Sequence, residues 1–181
     1  MLLVVGGQGR RAGKTSLAAG IIRKFRSMEW TAIKISPHLH GGSFGMREDS
    51  QPGPSDTGRF LAAGAKRAIL VTGANAPALA DAVQRIAAAS NTIVESNTVV
   101  ELTEPDAYLF VVNPGCPGLK PSGRRSMSRA DAFVVVQERS RILPEVRGRM
   151  LRRPQFIVKP PDYASAAVCA FVKRLLSGGS N

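Results

Sequence analysis

An apolar run over residues 2–5 breaks off at Gly6-Gly7-Gln8-Gly9-Arg10-Arg11-Ala12-Gly13-Lys14-Thr15-Ser16, and a helical pattern follows at once. In that pattern Leu17, Ile21, Ile22 and Phe25 recur at the three-to-four spacing of a buried helix face. Few other strand–loop–helix junctions constrain a fold so tightly. Glycines let the backbone aim several N–H groups inward as an anion nest. The helix that opens next adds unpaired N–H groups and the positive end of its dipole. Lys14 is then placed to reach the β- and γ-phosphates of a nucleotide, and the Thr15 hydroxyl to ligate Mg2+. Gly7, Gln8, Gly9, Arg10, Arg11, Ala12, Gly13, Lys14, Thr15 and Ser16 therefore form the expected nucleoside-triphosphate cradle. The strict pattern has glycine where Gln8 stands; here Gly7 and Gly9 flank it, and counted from Gly7 the loop is one residue longer than standard.

The rest of the chain alternates strand and helix. The first helix is expected over residues 14–27, and strands over 30–35, 68–72, 92–94, 107–112, 132–136 and 156–158. Asp56-Thr57 opens a helix that stops at Gly64, residues 78–89 form an Ala-rich helix, and a last helix starts from Asp162 and runs to Leu176. Residues 36–55 are polar, rich in Gly and Pro and without periodicity, which marks a functional loop. Continuous apolar strands alternating with helices imply a mainly parallel sheet covered on both faces. The fold class expected is a three-layer α/β/α domain of the P-loop NTPase type, with all 181 residues in one unit.

The formal charge is +12, concentrated in two segments. Residues 10–34 hold seven Lys/Arg against Glu29, and residues 120–153 hold ten against Asp131, Glu138 and Glu145. That balance fits an anionic small ligand, an acidic protein partner or nucleic acid. Aromatics make up only 6% and no RNA-binding or recognition-helix motif stands out, which disfavours nucleic acid. Cys116 and Cys169 are far apart and lack a His cluster, so neither a disulfide framework nor a zinc site is expected, and a reducing cytoplasm is. The N-terminal apolar run is too short for a signal peptide or a membrane span.

A P-loop enzyme places a carboxylate near Mg2+ at the end of an adjacent strand. Glu95 closes an apolar strand and fits that role, because a buried acid is costly unless something uses it. Asp56 reads either as a metal or γ-phosphate ligand or as a helix cap, with Glu48 and Asp49 less well defined in the same loop. Lys14, Glu95 and Asp56 are the catalytic candidates, and Thr15, Asp56 and Glu95 the Mg2+ ligands. His38 and His40 are too few for a zinc site and suit solvated loop positions. Arg124-Arg125, read as part of a turn, serve as a phosphate clamp, as a dock for an acidic partner or as solvated charge.

Three stretches carry a resemblance: residues 4–17, residues 32–38 with Lys34 and His38, and residues 56–65, Asp-Thr-Gly-Arg-Phe-Leu-Ala-Ala-Gly-Ala. Together they resemble the molybdopterin-guanine dinucleotide biosynthesis protein B family, over about the first 110 residues. The resemblance implies phosphate binding by Gly13, Lys14, Thr15 and Ser16, and metal or γ-phosphate roles for Asp56 and Glu95. It also implies GTP binding and an accessory part in guanylyl transfer to molybdopterin, beside the transferase and its anionic cofactor precursor. Ser96-Asn97 stand where that family usually has Glu-Gly, and Gln137-Glu138-Arg139 replace the guanine-reading Asn-Lys-x-Asp of many GTPases, so GTP and ATP both stay open. The loop before Gly-Lys-Thr is also similar to that of dethiobiotin synthetase, which keeps an ATP-dependent ligase or kinase of a small anionic metabolite as an alternative. A nucleotide-gated module docking an acidic partner is the third reading, and monomer or homodimer is left open.

Overall fold

The apolar runs become strands β1 (Leu2–Gly7), β2 (Thr31–Ser36), β4 (Arg67–Thr72), β5 (Thr92–Glu95), β6 (Ala107–Val112), β7 (Ala132–Val136) and β8 (Gln155–Val158), with a polar β3 (Gly45–Asp49) besides. Among the described residues six α-helices alternate with them: α1 (Lys14–Lys24), α2 (Asp56–Ala63), α3 (Ala76–Ala89), α4 (Pro121–Ser126), α5 (Pro144–Met150) and α6 (Ala166–Gly178). The computed structural model describes residues 1–36, 44–73, 75–137 and 141–178. The strands form one sheet in the order β3-β4-β2-β5-β1-β6-β7-β8. Neighbours run parallel except β3, which is antiparallel to β4.

Every residue of β1, β6 and β7 is buried, because side chains of alternate parity enter separate cores on the two faces of the sheet. Leu3, Val5, Leu109 and Val111 meet Leu17, Ile21 and Ile22 of α1, Phe60 of α2 and Val168 of α6. Val4, Tyr108, Phe110 and Val112 meet Leu79 and Val83 of α3 and Val146 and Met150 of α5. The result is three layers, helix on sheet on helix.

Strand β1 lies between β5 and β6, and the chain leaves it through α1 for β2, on the far side of β5. Strands β6 to β8 extend the other way. Such a reversal opens a crevice at the carboxyl ends of the strands, where α/β folds bind ligands.

Several boundaries differ from the sequence expectation. Strand β1 is longer because Gly6 and Gly7 still pair with Phe110 and Val111. Helix α1 ends at Lys24, and a single 3-10 turn, Arg26–Met28, precedes β2. Strand β3 lies inside the segment read as loop; it is an edge strand held by its ladder to β4 and by Arg67 on Glu48, so it needs no apolar alternation. Helices α4 and α5 are too short for a periodic signal, and each begins with proline at its first position. Arg124 and Arg125 therefore sit on a helix and not in a turn. Helix α6 starts at Ala166, where the Ser165 carbonyl accepts from Cys169 N; the expected start, Asp162, instead bridges to Lys159. Among the described residues no helix is long and apolar enough to cross a membrane.

Candidate phosphate site at the head of helix α1

The loop between β1 and α1 is fastened along its first residues. Asn97, just past β5, brackets Gly7: the Gly7 N–H donates to its Oδ1 at 2.7 Å and its Nδ2 donates to the Gly7 carbonyl at 2.9 Å. The Gln8 N–H donates to Val111 O at 3.0 Å, and its carbonyl accepts from Lys120 N at 3.0 Å. The Gln8 side chain is 1% exposed and accepts the Asn113 N–H at 3.2 Å. Gln8 thus extends the sheet's hydrogen bonding, which a glycine side chain cannot do.

At the other end of the loop Gly13 has φ of 106°, a left-handed conformation, and a Cβ there would lie 2.3 Å from the Tyr163 ring. Only glycine fits. Gly13 offers no capping side chain to α1, so the first-turn N–H groups lack the side-chain acceptor that Ser55 gives α2 and Asn75 gives α3. Those amides sit at a cleft of about 440 Å³, lined by residues 10–16 together with Lys34, Ser36, Asp56, Arg59, Glu95 and Tyr163.

Lys14 donates from Nζ to the Gly9 carbonyl at 2.5 Å. Burial holds its pKa below the ordinary lysine value despite the attraction of Glu95, with Lys34 and Lys120 pushing the same way as burial. Next to it, the Thr15 hydroxyl lies 2.7 Å from Glu95 Oε2 and 3.0 Å from Asp56 Oδ1. A hydroxyl has one proton and can donate to only one of these acceptors at a time. Lys34 Nζ closes the ring from the other side, 2.5 Å from Glu95 Oε1 and 2.8 Å from Asp56 Oδ2. Burial disfavours the charge on Lys34, but Glu95 first and Asp56 with it raise its pKa above the ordinary value. Burial also disfavours the Asp56 carboxylate, yet the Lys34 ammonium and the Thr15 hydroxyl keep its pKa below the usual range.

Ser55, not Asp56, caps α2, its Oγ accepting the Gly58 N–H at 2.9 Å. That leaves the Asp56 carboxylate free to reach Thr15 and Lys34. Two carboxylates and one hydroxyl converging in this way are the hard oxygen donors that Mg2+ takes. Among the described residues no three His, Cys, Asp or Glu side chains gather as a metal cage. A magnesium ion held by one or two carboxylates and by phosphate oxygens needs no such cage.

The remaining candidates fall at different distances from this ring. Arg10 and Arg11 are exposed on the cleft rim, and Arg59 crosses to Ser16 Oγ at 3.1 Å. Asp49 accepts from Thr57 Oγ1 at 2.5 Å and from Ser55 Oγ at 3.2 Å, securing the start of α2, while Glu48 pairs with Arg67. Arg124 pairs with Glu145 and Arg125 with Glu101, away from the cleft residues. His38 and His40 lie outside the described residues, as do Glu138 and Arg139.

The sequence gives Tyr163 no part, and it assigns no site role to Lys34 and Arg59, which lie in the stretches that carry the resemblance, or to Asn97. For Lys34 a signal existed: a lysine interrupting the apolar strand Thr31–Ser36 is as costly as the acid that ends β5. Tyr163 and Asn97 act through contacts between distant segments, which spacing along the chain does not encode.

No protein-family model matches this sequence, and no curated protein matches it. Solved structures do. The "apo" form of LpxK from Aquifex aeolicus in complex with ATP superposes with a TM-score of 0.53 at 15% identity, over 86% of this chain and 53% of that one. Signal Recognition Particle 54 kDa protein from Aeropyrum pernix K1, in complex with GDP, gives a TM-score of 0.52 at 14% identity, over 98% of this chain and 46% of that one. The chain spans about half the length of each. With the parallel sheet and its two helical layers, these likenesses identify the fold as the three-layer α/β/α fold of P-loop NTPases.

Proposed function

We propose that this chain binds a nucleoside triphosphate with Mg2+ and hydrolyses it slowly, as an accessory protein of molybdenum cofactor assembly. The observation that carries the nucleotide reading is the convergence of Asp56 and Glu95 on the Thr15 hydroxyl, beside Lys14 at the uncapped head of α1. In this reading the first-turn amides and Lys14 take the phosphate tail, and Lys14 exchanges the Gly9 carbonyl for phosphate oxygens. Thr15, Asp56 and Glu95 hold the metal, directly or through water. Bound Mg2+ would neutralise charge on the phosphate oxygens. Gly7 and Gln8 keep the loop's path, and Arg10 and Arg11 add positive potential at its rim.

The cofactor-assembly role rests on the resemblance in residues 4–17, 32–38 and 56–65. It brings with it a transferase partner, an anionic cofactor precursor and a cytoplasmic setting, which two free cysteines suit. The proposal covers GTP and ATP alike. Lys34, Ser36 and Arg59, which also line the cleft, favour a second reading, an ATP-dependent ligase or kinase whose anionic substrate lies against them.

Calorimetry with GTP and ATP tests the first claim. Lys14→Ala abolishes triphosphate binding while circular dichroism and the melting temperature stay near wild type; undiminished affinity in that variant ends the case for this loop. Turnover that is slow alone and rises with a partner supports the accessory role, whereas rapid metabolite-dependent turnover supports the ligase or kinase.

A further inference from the structure

The ring Thr15–Glu95–Lys34–Asp56 divides its oxygens evenly. Each carboxylate gives one oxygen to the Lys34 ammonium and the other to the Thr15 hydroxyl. A divalent metal set among these groups would meet a cation already in hydrogen-bond contact with both acids. Magnesium binds oxygen at about 2.1 Å, and an ammonium bonded to the far oxygens of the same two carboxylates repels it and offsets their negative charge. We propose that Lys34 is an internal counter-ion that keeps the metal seat shut until a polyphosphate arrives, so that metal and nucleotide bind as a coupled pair.

Lys34 has somewhere to go. It lines the same cleft as the first turn of α1, and its side chain is 19% exposed. A polyphosphate on that turn offers the ammonium new acceptors, just as it does Lys14, and draws its charge away from the two carboxylates whose other oxygens face Thr15. Lys34 then contacts phosphate in the loaded state and the acids in the empty one. Coupling of this kind is reciprocal, so metal strengthens nucleotide binding by the same factor that nucleotide strengthens metal binding. The inference rests on the metal reading above, but it concerns the empty protein and is measured there.

The experiment titrates Mn2+, followed by electron paramagnetic resonance, into nucleotide-free protein. Wild type binds the free ion weakly; Lys34→Gln, which can still hydrogen-bond the acids, binds it at least about tenfold more tightly. Lys34→Met gives the same gain, and Lys34→Arg, which keeps the charge, stays as weak as wild type. Adding Glu95→Gln to Lys34→Gln removes the gain, placing the ion at this seat. Equal Mn2+ affinity in wild type and in both neutral variants overturns the proposal and makes Lys34 a fixed partner of a buried acid. Tight Mn2+ binding by nucleotide-free wild type overturns it as well. Triphosphate binding by Lys14→Ala is read without added metal, so failure of the nucleotide reading is distinguishable from failure of this one.

Discussion

Gln8 stands where the standard loop has glycine, and its side chain accepts the Asn113 N–H while almost fully buried. Restoring the glycine would regularise the motif and remove that acceptor. Gln8→Gly is expected to lower stability by about 1 kcal/mol, since a part-buried donor loses its partner, and urea denaturation measures it. A variant as stable as wild type would mean that water serves Asn113 equally well. The same reasoning separates Glu95 from Asp56. Glu95 is 2% exposed and is held on both oxygens, by Lys34 and by Thr15, whereas Asp56 is partly open to solvent and reaches the ring from a helix start. A residue's role here follows from which oxygen faces which donor, and that is decided by neighbours far away in sequence.

The elements supply that placement, and helix α2 is the clearest case. Ser55 caps it, and Asp49 ties Thr57 and Ser55 to the end of β3. Ser55→Ala is expected to cost about 1 kcal/mol of stability by chemical denaturation, the usual loss of a serine cap. No change would show that the bond from Thr57 to Asp49 suffices. The long apolar strands, the glycine loop and α1 were legible because periodicity and glycine spacing are local properties. Strand β3 was not, since its order comes from backbone pairing at a sheet edge and its residues are largely exposed. Helices α4 and α5 hold six and seven residues, too few for a repeat to declare itself. Within the site, Lys14, Thr15 and Glu95 stand out by motif or by cost of burial, whereas Lys34 enters only through the resemblance although the same cost applies to it.

At the level of the molecule, the net charge of +12 includes Arg10, Arg11 and Arg59 at the rim of the cleft. Exposed pairs such as Arg67–Glu48 and Arg129–Glu104 contribute little to stability, so the charge matters more for ligands than for the fold. Triphosphate affinity is expected to fall by about tenfold between about 0.05 and 0.5 M salt, as screening shortens the reach of the rim. Calorimetry across that range checks it; an affinity indifferent to salt would confine recognition to the α1 amides and Lys14.

The bracket that Asn97 makes on Gly7 joins the root of the loop to the tail of the strand bearing Glu95. Those two strands are also zipped together along β1 and β5 at the middle of the sheet. On the facing side Asp56 rides on α2, which Phe60 roots in the core and Asp49 ties at its start, so the site is a vise with both jaws bolted and closing on a ligand falls to side chains.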